Sequence, residues 1–205
     1  MCYIDNDDLP NETEIKMKKV LVIFDCFGVL CDSVVARYLK DKVSQEEIDI
    51  LTATVSRDGD LGILSREEFL AEIAKATKTT PEDVEIELKN LCSLHHSLIP
   101  IIEKIREFAD IALLSNAHYG HAETIIDGFD IRYLFDKVFI SCYCGMVKPD
   151  PKFYQLCVDS FEKEYDEIYM VDDSDKNLAP LEGLGIIPVK YTCAEDVEKA
   201  LKKYL

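Results

Sequence analysis

A chain of 205 residues is long enough to bury a core as one domain with room for a small insertion. Hydrophobic residues make up 48% and charged residues 31%, with 8 Gly and 7 Pro, a balance that excludes disorder, fibrous repeats and low complexity as the main state. Asp and Glu total 40 against 23 Lys and Arg, a net charge of -17, which repels phosphate backbones and anionic lipid and so argues against nucleic acid and membrane surfaces as partners.

In chain order, residues 1–16 form a polar, acidic, aperiodic extension without the basic start and apolar stretch of a secretory signal. Met17 offers a second translation start, no apolar run reaches the length of a membrane span, and the cytoplasm is the expected compartment. The eight cysteines are scattered with no CxxC pair or zinc spacing, and are read as reduced thiols. Val20 to Phe24 is a continuous apolar, β-branched run ending at Asp25, the pattern of a central parallel strand covered on both faces. From Ser33 to Leu98 the pattern is helical throughout, with Ser33 to Lys42, Ser44 to Val55, Ser65 to Thr77 and Pro81 to Leu94 as helices. Ser65 with Glu68 makes a capping box, Pro81 suits a first helical turn, and Gly59 and Gly62 suit a turn.

Beyond the helical stretch a strand and helix rhythm resumes. Strands are expected at Ile111 to Leu114, Lys137 to Ser141, Ile168 to Val171 and Ile187 to Lys190, with helices at Ile99 to Phe108, Ala122 to Asp127, Pro151 to Phe161 and Asp196 to Tyr204. This predicts an α/β fold, a Rossmann-like parallel sheet between helical layers, with residues 17–32 and 99–205 as its core and residues 33–98 as a helical cap. Cys142 and Cys144, alternating along the expected third strand, would share one face.

Four polar segments then fall at the strand ends: Asp25 with Phe27, Ser115-Asn116, Lys148-Pro149, and Asp172-Asp173. Three carboxylates gathered at one sheet edge repel one another unless a cation sits among them, and an all-oxygen donor set favours a hard ion such as Mg²⁺. With one lysine for balance and a serine hydroxyl as donor, such a pocket suits a phosphoryl group facing a carboxylate nucleophile. Each segment alone has a plainer explanation, a strand-end cap, a helix N-cap, a solvated lysine or a charged turn; their joint order is what points to chemistry.

In that order, with a helical insert after the first strand, the segments resemble the haloacid dehalogenase superfamily, whose members are mostly aspartyl-phosphate-forming phosphatases. The resemblance implies Asp25 as nucleophile, Lys148 as the residue that steadies nucleophile and phosphoryl charge, and Ser115 with Asn116 as the phosphate anchor. It implies Mg²⁺ held by Asp25, Asp172, Asp173 and the Phe27 backbone carbonyl, and a small phosphorylated metabolite as substrate. Phe27 departs from the family pattern, because that position usually holds the Asp that protonates the leaving oxygen and then activates water. Losing such a group costs about 10²- to 10⁴-fold in rate. Haloacid dehalogenases, which carry an aromatic residue there and work on carbon without metal, are therefore a rival reading supported by Phe27, Tyr154 and Arg57, and opposed by the acidic pair. A non-catalytic phosphate-metabolite binder is the rival from another class. His95-His96 are read as surface or cap-packing residues, His118 and His121 as hydrogen-bonded surface histidines, Tyr154 as core packing, and Arg57 as a cap-surface ion pair.

Overall fold

The structure, a computed structural model, describes residues 19–205, so the expectations for the N-terminal extension and Met17 lie outside the described residues. The first strand, β1 (Val20–Phe24), is fully buried. The chain then runs through helices α1 (Val34–Lys40), α2 (Gln45–Leu51), a π-helical turn at Thr52–Ser56, α3 (Arg57–Asp60), α4 (Arg66–Thr77) and α5 (Pro81–Leu91) before α6 (Ile99–Ile105). Strand β2 (Ala109–Ser115), helix α7 (His121–Ile126), strand β3 (Lys137–Ile140) and helices α8 (Ser141–Cys144) and α9 (Pro151–Asp159) follow. Strand β4 (Glu167–Asp172), helix α10 (Asp175–Leu178), strand β5 (Ile187–Lys190) and helix α11 (Ala194–Ala200) complete the chain.

All five strands are parallel, in the order β3-β2-β1-β4-β5. The two-residue side-chain period of β1 explains why its sequence is apolar throughout. Val20, Val22 and Phe24 enter one core layer with Ile111, Leu113 and Val171, while Leu21 and Ile23 enter the opposite layer with Ala112, Leu114 and Met170. Strand order reverses between β1 and β4, so a crevice opens at the carboxyl ends of these two strands. Asp25 follows β1 and Asp172 closes β4, so the topology alone brings the two carboxylates together.

The helical insert packs around a core of its own, built from Val34, Tyr38, Leu39, Phe69, Ile73, Val84 and Leu88 among others. Ser44 and Ser65 each close a capping box, with Glu47 and Glu68 respectively, and Thr80 caps α5 ahead of Pro81. No helix among the described residues is long and apolar enough to cross a membrane.

Three local expectations are corrected. Lys137 to Ser141 ends as a strand one residue early, and Cys142 and Cys144 lie on the one-turn helix α8, which stops at Gly145 in left-handed conformation (φ 63). Two residues apart on a helix, the thiols do not share a face: Cys142 is buried and Cys144 half-buried. Helix formation beyond Leu51 does not end at Val55 but continues through the π-helical turn to Asp60, which puts Gly59 inside a helix and leaves only Gly62 (φ 71) in a turn. The described cysteines are all free.

Candidate active site

Lys148 is the centre of the crevice. Its ammonium donates to Asp25 Oδ1 at 2.8 Å and to Asp172 Oδ2 at 2.7 Å, with no side-chain exposure for Lys148 or Asp172. Burial alone would lower the lysine pKa, but the two carboxylates outweigh it and raise it, so the lysine stays charged. Asn116 fixes its backbone: the Lys148 N–H donates to Asn116 Oδ1 at 2.8 Å and Asn116 Nδ2 donates to the Lys148 carbonyl at 3.0 Å. Both ends of the Asn116 amide are thereby engaged, which makes its side chain a brace for the lysine.

Asp25 Oδ1 also accepts from the Cys26 N–H at 2.7 Å, while Oδ2 has no hydrogen-bond donor among the described residues. Burial pushes the Asp25 pKa up and Asp172 adds to the rise, with Lys148 opposing both. Asp172 is held more fully, by the Ser174 N–H at 2.8 Å and by Asn177 Nδ2 at 3.1 and 3.2 Å. Asn177 is a site residue the sequence signalled only as part of a helix start; Tyr154 in turn donates from its hydroxyl to the Asn177 carbonyl at 2.7 Å, and is fully buried as core packing requires.

Asp25, Asp172 and the exposed Asp173 each offer a carboxylate oxygen within 4.8 Å of the others. This is a set of hard donors with one lysine against three negative charges, and it fits a divalent cation. The loop after β1 is shaped around it: Gly28 adopts φ 88, and a Cβ there would stand 2.3 Å from the Asp173 carboxylate. Ser115 Oγ at the end of β2 is buried without a hydrogen-bond partner. A buried hydroxyl with no protein partner is costly unless a ligand uses it.

A cavity of about 520 Å³ opens over Lys148, lined by Asn116, Val147 and Asn177 from the sheet edge and by Arg57, Asp60 and neighbours from the insert. Arg57 is exposed on this wall and forms no ion pair among the described residues, contrary to the expected salt bridge. A larger surface groove of about 880 Å³ beside β5 is lined by a single carboxylate, Asp196, and by neither Lys148 nor Asp25.

The Phe27 side chain is held by packing. Its ring stacks on His121 with centroids 4.1 Å apart, His121 stacks on His118 at 4.5 Å, and His118 stacks on Phe69 of α4 at 3.9 Å. This four-ring column joins the insert to the loop after β1, and it overturns the reading of His118 and His121 as surface residues: they are 4% and 8% exposed, each with an unpartnered Nε2. His95, expected as a surface or cap-packing residue, is half-buried and bonded through Nδ1 to the Val29 carbonyl at 2.8 Å and through Nε2 to Asp32 at 3.1 Å. Burial, with Arg66 adding, pushes the His118 pKa down to about 4, and burial lowers His121 as well. Between about pH 6.5 and 4 the unfolded chain therefore binds protons that the folded chain refuses, and stability present above that window is lost as pH falls through it. The expected loss is about 2 kcal/mol from His118 alone at about pH 5. Thermal melts at neutral and mildly acid pH check this: the melting midpoint should drop in the native protein and drop less in a His118→Phe/His121→Phe variant, and a native midpoint that does not move contradicts it.

The sequence matches the family of haloacid dehalogenase-like hydrolases over residues 20–185. Among characterised proteins, bifunctional epoxide hydrolase 2 of Sus scrofa is 34% identical over 74 residues, which is 36% of this chain and only 13% of that longer protein. Among solved structures, a HAD family enzyme from Bacteroides thetaiotaomicron in complex with magnesium and inorganic phosphate superposes with a TM-score of 0.71 at 21% identity, covering 86% of this chain and 95% of that one. The L-2-haloacid dehalogenase of Xanthobacter autotrophicus with covalently bound chloropropionic acid superposes at 0.60 and 14% identity, over 89% and 82% of the two chains.

Proposed function

The chain belongs to the haloacid dehalogenase-like hydrolases, and we propose that within that family it is a Mg²⁺-dependent phosphatase of small phosphorylated metabolites. The observation that carries this reading is the buried Lys148 bonded to both Asp25 and Asp172 beside Asp173. A metal-free site for chemistry on carbon has no use for two further carboxylates next to its nucleophile, because each raises the cost of ionising the others. The aromatic side chain at position 27 is the feature shared with the dehalogenase reading, and its stacking on His121 accounts for it without reference to substrate.

Asp25, Asp172, Asp173 and the Phe27 carbonyl would hold the cation, which when bound offsets charge on the phosphoryl oxygens. Asp25 Oδ2 attacks phosphorus in line, the ester oxygen leaves, and water then cleaves the aspartyl phosphate to return Asp25 and release phosphate. Lys148 holds Asp25 through Oδ1, which leaves Oδ2 without a donor among the described residues. Ser115 Oγ donates to a phosphoryl oxygen, which satisfies a hydroxyl otherwise orphaned. Asn116 keeps Lys148 in register. The helical insert, residues 33–98, acts as the cap over the pocket, and substrate selection belongs to it. The net charge of -17 agrees with a small-molecule substrate, and the free thiols agree with a cytoplasmic setting.

Hydrolysis of para-nitrophenyl phosphate tests the reading, since its good leaving group needs no acid. Turnover is expected with Mg²⁺ and is expected to fall to background in EDTA, returning when Mg²⁺ is restored. Binding of inorganic phosphate with Mg²⁺ but no turnover would favour a metabolite-binding protein, and metal-independent halide release from 2-haloacids would favour a dehalogenase.

A further inference from the structure

Asp60 is a half-buried carboxyl that the reaction above leaves unused. It closes the short helix α3 in the insert, and its side chain has no hydrogen bond or ion pair among the described residues. It lines the 520 Å³ cavity together with Asn116, Lys148 and Asn177, the same Lys148 whose ammonium lies 2.8 Å from Asp25. Through Lys148 this cavity adjoins Asp25, and it is the space in which a leaving group attached to a phosphoryl group at Asp25 would meet the insert.

Two glycines hold that wall against the sheet. A Cβ at Gly59 would come within 2.9 Å of the Phe69 ring and 3.1 Å of His118 Cβ, and one at Gly62, where φ is 71, within 2.2 Å of the Cys142 carbonyl oxygen. The residues flanking Asp60 thus lie directly against the loop after β2 and helix α8. Position 27, the usual place for a proton-transferring carboxyl, holds a ring packed on His121.

We propose that Asp60, reaching in from the helical insert, is the general acid and base of this enzyme, in place of the group absent at position 27. The assignment rests on the phosphatase reading. As Asp25 Oδ2 bonds to phosphorus, the bond from phosphorus to the ester oxygen breaks, and that oxygen takes the proton of the Asp60 carboxyl and leaves as the alcohol. The Asp60 carboxylate then accepts a proton from the water that attacks phosphorus, the bond from phosphorus to Asp25 breaks, and phosphate departs with both carboxyl groups restored. Burial pushes the Asp60 pKa up to about 7, with Lys148 opposing, so both protonation states are populated near neutrality.

The test is a series of substituted phenyl phosphates of graded phenol acidity, from para-nitrophenyl to unsubstituted phenyl, measured as kcat/KM with Mg²⁺ for the native protein and Asp60→Asn. kcat/KM reports the steps through departure of the phenol, so the later hydrolysis of the phosphoenzyme does not intrude. The native protein should show a shallow dependence on leaving-group acidity. Asp60→Asn should show a steep one, with its loss on phenyl phosphate about 10²-fold greater than its loss on the nitrophenyl ester. That ratio is taken within one protein preparation, so a lowered folded fraction cancels from it. Equal losses across the series, or none, would overturn the role of Asp60 while the phosphatase reading stands on native turnover. A native protein inactive on every ester with Mg²⁺ would overturn the phosphatase reading, and the role of Asp60 with it.

Discussion

Substituting Asn for Asp25 is expected to lower Mg²⁺-dependent hydrolysis of an activated aryl phosphate by at least about 10⁴-fold, the scale seen when a covalent nucleophile is removed, in a protein that still folds. Asn keeps an oxygen in place of Oδ1 to accept from the Cys26 N–H and from Lys148, so the local bonds survive. What disappears is the ionised oxygen that attacks phosphorus. The electrostatic balance of the crevice improves at the same time: the buried lysine then faces one buried carboxylate, Asp172, where it now faces two. Burial already disfavours the charged form of Asp25, so the melting midpoint of the variant should equal or exceed that of the native protein. Activity and melting curves measured on the same preparation separate the outcomes. Retained turnover would remove Asp25 from the chemistry, and loss of folding would make its role structural.

The divergence of those two readouts reflects how the site is built, and the same division decides what could be read from the sequence. Strands β1, β2 and β4 were legible because each is a continuous apolar run, and a sheet buried on both faces demands that composition. Asp25, Ser115 and Asp172 were legible because each follows such a run at its carboxyl end. Local rules also worked where a helix start is self-contained, as at Ser65 with Glu68. They failed where the deciding contact comes from elsewhere in the chain. Nothing near His118 or His121 predicts burial; the rings are covered because α4 brings Phe69 onto one face and the loop after β1 brings Phe27 onto the other. Cys142 and Cys144 followed an apolar run and looked like its continuation, but the chain turns into α8 and stops at Gly145. Asp60 carries no motif at all, since its importance comes from the docking of the insert on the sheet edge. Asn177 was visible only as a helix residue, though its amide bonds both oxygens of Asp172.

Lys148 is where folding and chemistry meet, and replacing it should damage both. With Lys148→Met, a chain of comparable length but no charge, Asp25 and Asp172 are left as buried carboxylates without the ammonium that each now bonds at 2.8 and 2.7 Å. Removing one partner of a buried ion pair leaves the other charge uncompensated and costs about 3–5 kcal/mol, against a total stability of about 5–15 kcal/mol for a typical domain. The variant should therefore melt well below the native protein at neutral pH and show no measurable turnover. Acidification distinguishes this cause from lost packing. A buried carboxyl whose folded pKa is raised costs stability only while it is ionised, so the deficit is full above the raised pKa and fades as pH falls toward the ordinary carboxylate range. The gap in melting midpoint between native protein and Lys148→Met should narrow steadily as pH is lowered. A gap that stays constant with pH would mean that the lysine holds the site by packing alone, and that the two carboxylates find their compensation elsewhere.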